Sequence, residues 1–266
     1  VIREIGPARG GITLFDILQF VLDDLQHALF PGEDVEKVPD RFQQFVVVAL
    51  DLVAFQTHEL IQPQFQDVID LLVGNPNDGI MIPIPQNPLY SASIKKAGGV
   101  QVNYYPVEER GWAFERQMLE DALAEAQGQG VNVKGIVVIN PGNPTGAVLA
   151  EDSLHEVIQF AKEHHLVILA DEVYQENVYT GKFGSFARAL GEETVPLFSL
   201  HSISKGFYGE CGHRGGYLEV RNPPGVEGSS LDLVDLLLKQ ASISLCSNTA
   251  GQLLTYLMVS PPPEGS

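Results

Sequence analysis

Apolar residues recur at helical spacing in the first part of the chain. Over residues 12–29 they fall on one face of a predicted helix, which Pro31 and Gly32 end. Residues 42–55 are apolar almost all round, and periodicity alone does not separate a buried helix from a core strand there. A shorter helix is predicted over residues 65–73, where a Gly-Asn-Pro sequence follows.

From residue 80 onward, short apolar runs alternate with longer amphipathic ones. The predicted strands are residues 80–84, 100–107, 135–140, 166–171, 196–202 and 217–220. The predicted helices are residues 90–97, 114–126, 154–165 and 231–241. This alternation predicts an α/β fold with a mostly parallel sheet and helices on both faces. Asp232 and Asp235 are expected on the solvated face of the last of these helices.

Composition and charge narrow the class of protein. Of 266 residues, 44% are hydrophobic and 19% charged, which permits a sizeable buried core. A formal net charge of −18 disfavours nucleic acid and anionic membranes as partners, and no apolar run approaches the about 20 residues of a membrane span. The two cysteines cannot form a disulfide framework, and no signal region opens the chain. We therefore expect a soluble intracellular protein.

Polar residues follow the predicted strands at the edge where open sheets bind ligands. Residues 140–146 (Asn-Pro-Gly-Asn-Pro-Thr-Gly) predict a rigid turn, with a plain connecting loop as the alternative. Asp171 ends the next strand, and Glu172 and Tyr174 come close behind it. A buried carboxylate requires a cation or a protonated nitrogen as its partner. The alternative is that Asp171 caps a helix.

A lysine stands at the end of a third apolar strand. Ser202 and Ser204 precede Lys205, and an amine that loses hydration in such a pocket becomes a usable nucleophile. Arg214 lies between glycine-rich turns, and its guanidinium suits bidentate contact with a phosphate. An amine, a carboxylate for a ring nitrogen and donors for a phosphate are the groups that pyridoxal phosphate requires.

Several motifs resemble those of class I aminotransferases, in the same order and at the same spacing. They are residues 140–146, residues 170–175 (Ala-Asp-Glu-Val-Tyr-Gln) and residues 202–206 (Ser-Ile-Ser-Lys-Gly). Alanine aminotransferases are the narrower resemblance, through residues 83–86, 88–92 and 208–212. The resemblance implies a pyridoxal-phosphate-dependent transferase of fold type I, a homodimer with its active site at the subunit interface.

The resemblance also implies a role for each polar residue at the strand ends. Lys205 is the catalytic residue: it binds the cofactor covalently and then moves a proton between the substrate α-carbon and the cofactor. Asp171 pairs with the pyridine nitrogen. Asn143 and Tyr174 hydrogen-bond the phenolic oxygen of the cofactor. No metal is expected.

The resemblance assigns phosphate binding to Ser202 and Arg214, with Ser204 in a supporting role nearby. The implied reaction converts alanine and 2-oxoglutarate into pyruvate and glutamate, so the partners are a small amino acid and a 2-oxo acid. The regions expected are a helical N-terminal region (1–79), a pyridoxal-phosphate-binding α/β large-domain core (80–228) and C-terminal helices of a truncated large domain (229–266).

The sequence departs from the family pattern at three places. Asn87 stands where the family has a tyrosine that stacks on the pyridine ring. Residues 60–62 (Leu-Ile-Gln) stand where the family has a Gly-Ala-Ser turn for the phosphate. The small domain that supplies an arginine for the substrate carboxylate is expected to be absent. A non-catalytic relative that dimerises or binds a ligand is therefore the second hypothesis. We expect a cytoplasmic location, with the mitochondrial matrix as the alternative.

Overall fold

A computed structural model describes residues 61–206, 208–226, 228–242 and 248–261, with side chains from residue 65 onward. The segments predicted over residues 12–29 and 42–55 lie outside these described residues. In chain order the elements are α1 (Ile61–Leu72), β1 (Asp78–Pro83), α2 (Leu89–Ala97), β2 (Val100–Tyr104), α3 (Arg116–Gly128), β3 (Asn132–Ile139), α4 (Glu151–Glu163), β4 (Val167–Asp171), α5 (Phe186–Leu190), β5 (Leu197–Ser202), β6 (Gly216–Arg221), α6 (Leu233–Ala241) and α7 (Thr249–Val259).

The strands form one six-stranded sheet in the order β2-β1-β3-β4-β5-β6. Strands β1 to β5 pair in parallel, and β6 pairs antiparallel with β5. One face of the sheet packs against helices α3, α4 and α5, through Leu119, Phe160 and Phe186. The other face packs against α1, α2 and α6, through Phe65, Tyr90 and Leu233. The predicted α/β architecture is therefore confirmed. In the described residues, no helix is both long and apolar enough to span a bilayer.

Local sequence explains where individual elements begin and end. Strand β2 stops at Tyr104, short of the predicted 107, because Pro106 has no backbone N–H for a sheet ladder. Helix α5 was not predicted; the Ser185 hydroxyl starts it by accepting the Arg188 N–H at 3.1 Å. Helix α2 ends at Gly98, whose left-handed φ of 83° is the usual helix stop.

The expectation for Asp232 and Asp235 was wrong. Both carboxylates bond backbone N–H groups at the start of α6: Asp232 accepts from Asp235 N–H, and Asp235 accepts from Asp232 N–H, each at 3.0 Å. This reciprocal pair is a capping box, which satisfies two donors that a helix otherwise leaves open. The aspartates thus fix where α6 begins.

Strand register brings the polar ends of several strands to one edge of the sheet. Asp171, the last residue of β4, lies beside Ile139, the last residue of β3. Because β6 runs antiparallel, its first residue Gly216 lies opposite Ser202, the last residue of β5. Arg214 therefore emerges at the same edge as Asp171, although it precedes a strand rather than follows one.

Candidate active site

Asp171 is buried at the end of β4, with 5% of its surface exposed. The Tyr90 hydroxyl donates a hydrogen bond to its Oδ2 atom, and the Val173 N–H donates to Oδ1 at 3.3 Å. Asp171 caps no helix in the described part of the chain, so the helix-capping alternative is wrong. Donors on both oxygens reduce the cost of burying the carboxylate.

Tyr90 was not singled out as a site residue, although it lies in one of the motifs that carry the family resemblance. It stands at the start of α2, soon after β1, and its side chain is almost completely buried. The Phe65 ring packs edge-on against it, with 4.9 Å between the ring centroids. Burial and the adjacent Asp171 charge raise the pKa of Tyr90 well above its usual value, so the phenol remains a donor.

Asn143 and Tyr174 come together at the ends of β3 and β4. The Asn143 side-chain amide donates to the Tyr174 hydroxyl oxygen at 3.2 Å. The turn that carries Asn143 is held by Asn140, which is fully buried. The Asn140 side chain donates to the Gly184 carbonyl and accepts from the Leu149 N–H, each at 3.0 Å. The polar turn is thus specified by its own side chains, as its composition predicts.

Lys205 follows β5 in a loop whose serines turn inward. Ser202 Oγ accepts the Ser204 N–H at 3.0 Å and donates to the Gly215 carbonyl at 3.4 Å. Ser204 Oγ is buried and has no hydrogen-bond partner among the described residues. Lys205 is partly buried, and its carbonyl accepts the Gly209 N–H at 3.1 Å. A buried hydroxyl without a protein partner marks a position where a ligand oxygen is tolerated.

Arg214 lies in a turn that rests on helix α7. Its backbone is left-handed, with φ 49°, and its Nη1 donates to the Cys211 carbonyl at 2.6 Å. The Asn248 side chain donates to the His213 carbonyl at 2.8 Å while its Oδ1 accepts the Gly251 N–H and caps α7. A Cβ on Gly251 would overlap the His213 carbonyl oxygen. The helix therefore approaches the Arg214 turn backbone to backbone.

Glu172 and His201 form a second buried polar group close to the site. Glu172 Oε1 accepts the Phe186 N–H at 2.7 Å, and the His201 ring stacks on Tyr217 with centroids 4.6 Å apart. Burial raises the pKa of Glu172 to about 8 and lowers the pKa of His201 to about 4. Both side chains are consequently neutral at pH 7.

The departures identified in the sequence have different outcomes. Asn87 Oδ1 accepts the Leu89 N–H at 3.0 Å, and its carbonyl accepts the Tyr90 N–H at 3.3 Å. The amide therefore helps to start α2 and offers no ring face. Of residues 60–62, Leu60 lies outside the described residues and α1 is described from Ile61.

One cluster of metal-ligand residue types occurs in the described part, formed by Glu120, Glu163 and His164. Arg116 forms ion pairs with both carboxylates, and His164 Nε2 lies 2.9 Å from a Glu120 oxygen. Arg116 already pairs with both acids, so the cluster is a network of ion pairs and hydrogen bonds between α3 and α4.

The arrangement at the sheet edge agrees with the sequence relationships of the chain. A family model for aminotransferase class I and II matches residues 64–265. The chain belongs to the class I and II aminotransferase family.

Within this family, curated relatives carry a consistent name. The chain is 49% identical over 210 residues to alanine aminotransferase 2 of Panicum miliaceum, covering 76% of this chain and 42% of that protein. It is 50% identical over 210 residues to the mitochondrial alanine aminotransferase 2 of Arabidopsis thaliana, covering 76% of this chain and 38% of that protein. This aminotransferase chain thus spans about two fifths of the length of these relatives.

Solved aminotransferase structures share the fold. The alanine aminotransferase from Pyrococcus furiosus superposes with a TM-score of 0.62 at 28% identity, covering 74% of this chain and 48% of that one. An aminotransferase from Escherichia coli gives a TM-score of 0.63 at 25% identity, covering 91% and 59% respectively. The chain therefore shares the α/β fold of these aminotransferases.

Class I and II aminotransferases depend on pyridoxal phosphate, and the residues at the sheet edge fit that group. The ring nitrogen requires a carboxylate, which Asp171 offers from a buried position. The phenolic oxygen requires donors, and Asn143 and Tyr174 stand together. The buried Ser204 hydroxyl lacks a partner among the described residues, beside the Lys205 backbone. Each requirement thus has a chemically suitable residue.

Proposed function

We propose that the protein catalyses pyridoxal-phosphate-dependent transamination, in which alanine and 2-oxoglutarate become pyruvate and glutamate. The observation that carries the proposal is the juxtaposition of Asp171 with the hydrogen-bonded pair Asn143–Tyr174, since β3 and β4 end side by side. The substrates are proposed from the relatives, because those at 49% and 50% identity are named alanine aminotransferases.

Pyridoxal phosphate, when bound, supplies an electron-withdrawing ring that stabilises negative charge at the α-carbon of the substrate. Asp171 would hold the proton on the ring nitrogen. Its burial supports this role, since a charge pair is strongest where solvent is excluded. Tyr90 and Val173 would hold the carboxylate in place by donating to its two oxygens.

Lys205 would act as the proton carrier. From its partly buried position at the end of β5, its amine would take the proton from the α-carbon of the amino acid and deliver it to the cofactor carbon, and would move a proton in the opposite direction in the second half-reaction. Asn143 and Tyr174 would orient the ring through its phenolic oxygen. Because Tyr174 Oη accepts the bond from Asn143, the Tyr174 proton is directed to an acceptor other than Asn143.

Arg214, Ser202 and Ser204 would hold the phosphate. A guanidinium in a turn fixed from outside suits a phosphate, since it can donate two parallel bonds. The Asn248 contact to the His213 carbonyl and the close approach of Gly251 support a fixed turn. Ser204 would gain a partner for its buried hydroxyl.

Assembly and compartment are proposed from the family. We expect a homodimer with the active site at the subunit interface, as the resemblance implies. A cytoplasmic location stays a prediction, and the mitochondrial matrix is the alternative, since relatives from Arabidopsis thaliana and Dictyostelium discoideum are named mitochondrial.

A second candidate is a non-catalytic aminotransferase-like module that binds a ligand or dimerises. Asn87 favours it, because the amide bonds the start of α2 and cannot replace an aromatic face above the ring. The division into regions 1–79, 80–228 and 229–266 is unaffected by this choice and stays a proposal.

The test is a cofactor titration of the full chain followed by borohydride reduction and peptide mapping. Lys205→Ala is the test variant and Lys182→Ala the control, since Lys182 is an exposed surface lysine. We expect a visible absorption band with the wild-type chain and Lys182→Ala but not with Lys205→Ala, and the reduced cofactor on the peptide containing Lys205.

Pyruvate formation from alanine and 2-oxoglutarate then separates the two candidates. Turnover that is lost in Lys205→Ala supports the transaminase. Cofactor bound at Lys205 without pyruvate formation supports the non-catalytic module. A reduced adduct on a different lysine would reject the site assignment.

A further inference from the structure

We infer that Tyr90 is a positioning residue for the cofactor, acting through Asp171: its hydroxyl fixes the carboxylate that faces the pyridine nitrogen. The inference rests on the proposed function, and it assigns to Tyr90 a role that neither motif spacing nor the roles implied by family resemblance gave it.

The geometry of the contact restricts Asp171 from two sides. The Tyr90 hydroxyl donates to Oδ2 from helix α2, while the Val173 N–H donates to Oδ1 from the segment after β4. A carboxylate accepts up to about four hydrogen bonds, and these two donors reach different oxygens of it. The carboxylate plane is therefore set by protein donors on separate elements.

Tyr90 itself has little freedom to move. Its side chain is 1% exposed, and the Phe65 ring packs against it edge-on. Burial holds the phenol in its protonated form, because the pKa of Tyr90 lies well above its usual value. A rigid, permanently protonated donor suits the task of holding an anion in one orientation.

The chain offers a closely matched control for this hydroxyl. Tyr104 is equally buried, and its hydroxyl donates to the Val137 carbonyl at 2.6 Å within the sheet. Tyr104→Phe therefore deletes a buried phenol hydrogen bond of the same kind, with a neutral acceptor that does not face the cofactor. Loss of packing or of general stability affects both variants alike.

The experiment compares two ligands on wild-type, Tyr90→Phe and Tyr104→Phe full-length chains. One ligand is pyridoxal phosphate, and the other is its analogue in which a C–H group replaces the ring nitrogen. Dissociation constants are measured by fluorescence titration, and thermal unfolding without ligand reports folding. The analogue cannot pair with Asp171, so it reports every contribution except the one assigned to Tyr90.

For Tyr90→Phe we expect the dissociation constant of pyridoxal phosphate to rise about tenfold, the typical effect of losing one charge-assisted hydrogen bond. The dissociation constant of the analogue should change less than about twofold, because its ring makes no bond to the carboxylate. For Tyr104→Phe, the ratio of the two constants should stay at the wild-type value.

Two results overturn the inference. If Tyr90→Phe weakens the binding of both ligands equally, or of neither, Tyr90 does not act through the ring nitrogen. The proposed function is unaffected by that result. If the wild-type chain does not bind pyridoxal phosphate at Lys205, the proposed function and the role of Tyr90 fail together. The inference is supported if the preference for pyridoxal phosphate over the analogue is smaller in Tyr90→Phe than in wild type.

Discussion

The Oε2 atom of Glu172 lies 3.7 Å from the Nε2 atom of His201, and both side chains are more than nine-tenths buried. This pair is not an ion pair at neutral pH, because burial keeps the acid protonated and the imidazole uncharged. The relationship matters for stability, since both groups exchange protons with solvent when the chain unfolds.

Glu172→Gln should make stability less dependent on pH. The pKa of Glu172 is about 8 in the folded chain against 4.5 for an exposed glutamate, so wild-type stability falls as pH rises through this interval. Glutamine keeps the acceptor for the Phe186 N–H and carries no proton to lose. We expect the free energy of unfolding of the variant to exceed that of wild type by about 2–4 kcal/mol at about pH 8 and by little below about pH 5, measured by urea unfolding.

The control for this comparison is Glu156→Gln, because Glu156 is exposed on α4. It should reproduce the wild-type dependence on pH. His201 acts in the opposite direction: its pKa falls from 6.5 to about 4, so its contribution is present above pH 6.5 and is lost as pH falls. Parallel pH curves for wild type and Glu172→Gln would contradict a buried protonated Glu172.

Asp78→Asn should weaken the fold without affecting the cofactor. Asp78 accepts N–H bonds from Gly74 and Asn75 at 3.0 and 2.9 Å and from the Asn132 amide at 2.9 Å. Burial alone would raise its pKa, but these bonds and Lys134 outweigh that effect and hold the pKa below 3.8. The NH2 group of an asparagine would face an N–H donor in this position. We therefore expect the free energy of unfolding to fall by about 1–3 kcal/mol at neutral pH, measured by urea unfolding.

Asp78 lies at the amino end of β1, away from the edge that carries Asp171. The dissociation constant of pyridoxal phosphate, measured under conditions where the variant is folded, should therefore equal that of wild type. Asp121→Asn, on the exposed surface of α3, is the control and should change neither quantity. A weakened cofactor affinity in Asp78→Asn would show that the two ends of the sheet are coupled.

Asn87→Tyr should strengthen cofactor binding by restoring an aromatic face above the ring. Stacking on an aromatic side chain contributes about 1–3 kcal/mol, so the dissociation constant should fall about tenfold. The variant also loses the bond from the Leu89 N–H to Asn87 Oδ1. Asn87→Leu loses the same bond without gaining a ring, and equal affinities for the two variants would show that stacking does not occur.

Gly251→Ala should disturb the Arg214 turn. The new Cβ would overlap the His213 carbonyl oxygen and lie 2.8 Å from the Arg214 carbonyl oxygen, so α7 must move away. We expect the free energy of unfolding, measured by thermal unfolding, to fall by about 1–3 kcal/mol. Affinity for pyridoxal phosphate should fall more than affinity for pyridoxal, since only the former carries the phosphate that Arg214 would hold.

Gly128→Ala is the matched control, because Gly128 ends helix α3 and a Cβ added there would meet no heavy atom within 4 Å beyond its chain neighbours and its own helical turn. It should leave the fold unchanged or slightly more stable, as glycine-to-alanine changes do at compatible helical sites. If Gly251→Ala keeps the wild-type preference for the phosphorylated ligand, α7 does not position Arg214.

Sequence reasoning predicted the sheet and the strand ends because both have local signals. Apolar runs and their polar terminators identified the strands that deliver Asn143, Asp171 and Lys205 to one edge. The bond between Tyr90 and Asp171 could not be predicted in this way, because it joins residues 81 positions apart that meet only once α2 packs on the sheet.

The same limit applies to the buried acid beside the site and to the support of the Arg214 turn. The unusual protonation of Glu172 follows from burial, which no single position in the sequence reveals. The contact from Asn248 to the His213 carbonyl joins positions 35 apart, through a side chain that also caps α7. The Ser185 cap of α5, by contrast, had a readable local signal, a serine before an apolar segment, that the prediction did not use.

The dependence of the Arg214 turn on α7 has a consequence for biosynthesis. When the ribosome has added Arg214 to the growing chain, it has not yet made Asn248 or Gly251, which contact the Arg214 turn from the start of α7. The parallel strands precede these residues in the chain, and Arg214 gains the support of α7 only after that helix has been made. If Arg214 holds the phosphate as proposed, firm capture of vitamin B6 has to wait until residues 248–251 have been synthesised and have packed against the turn.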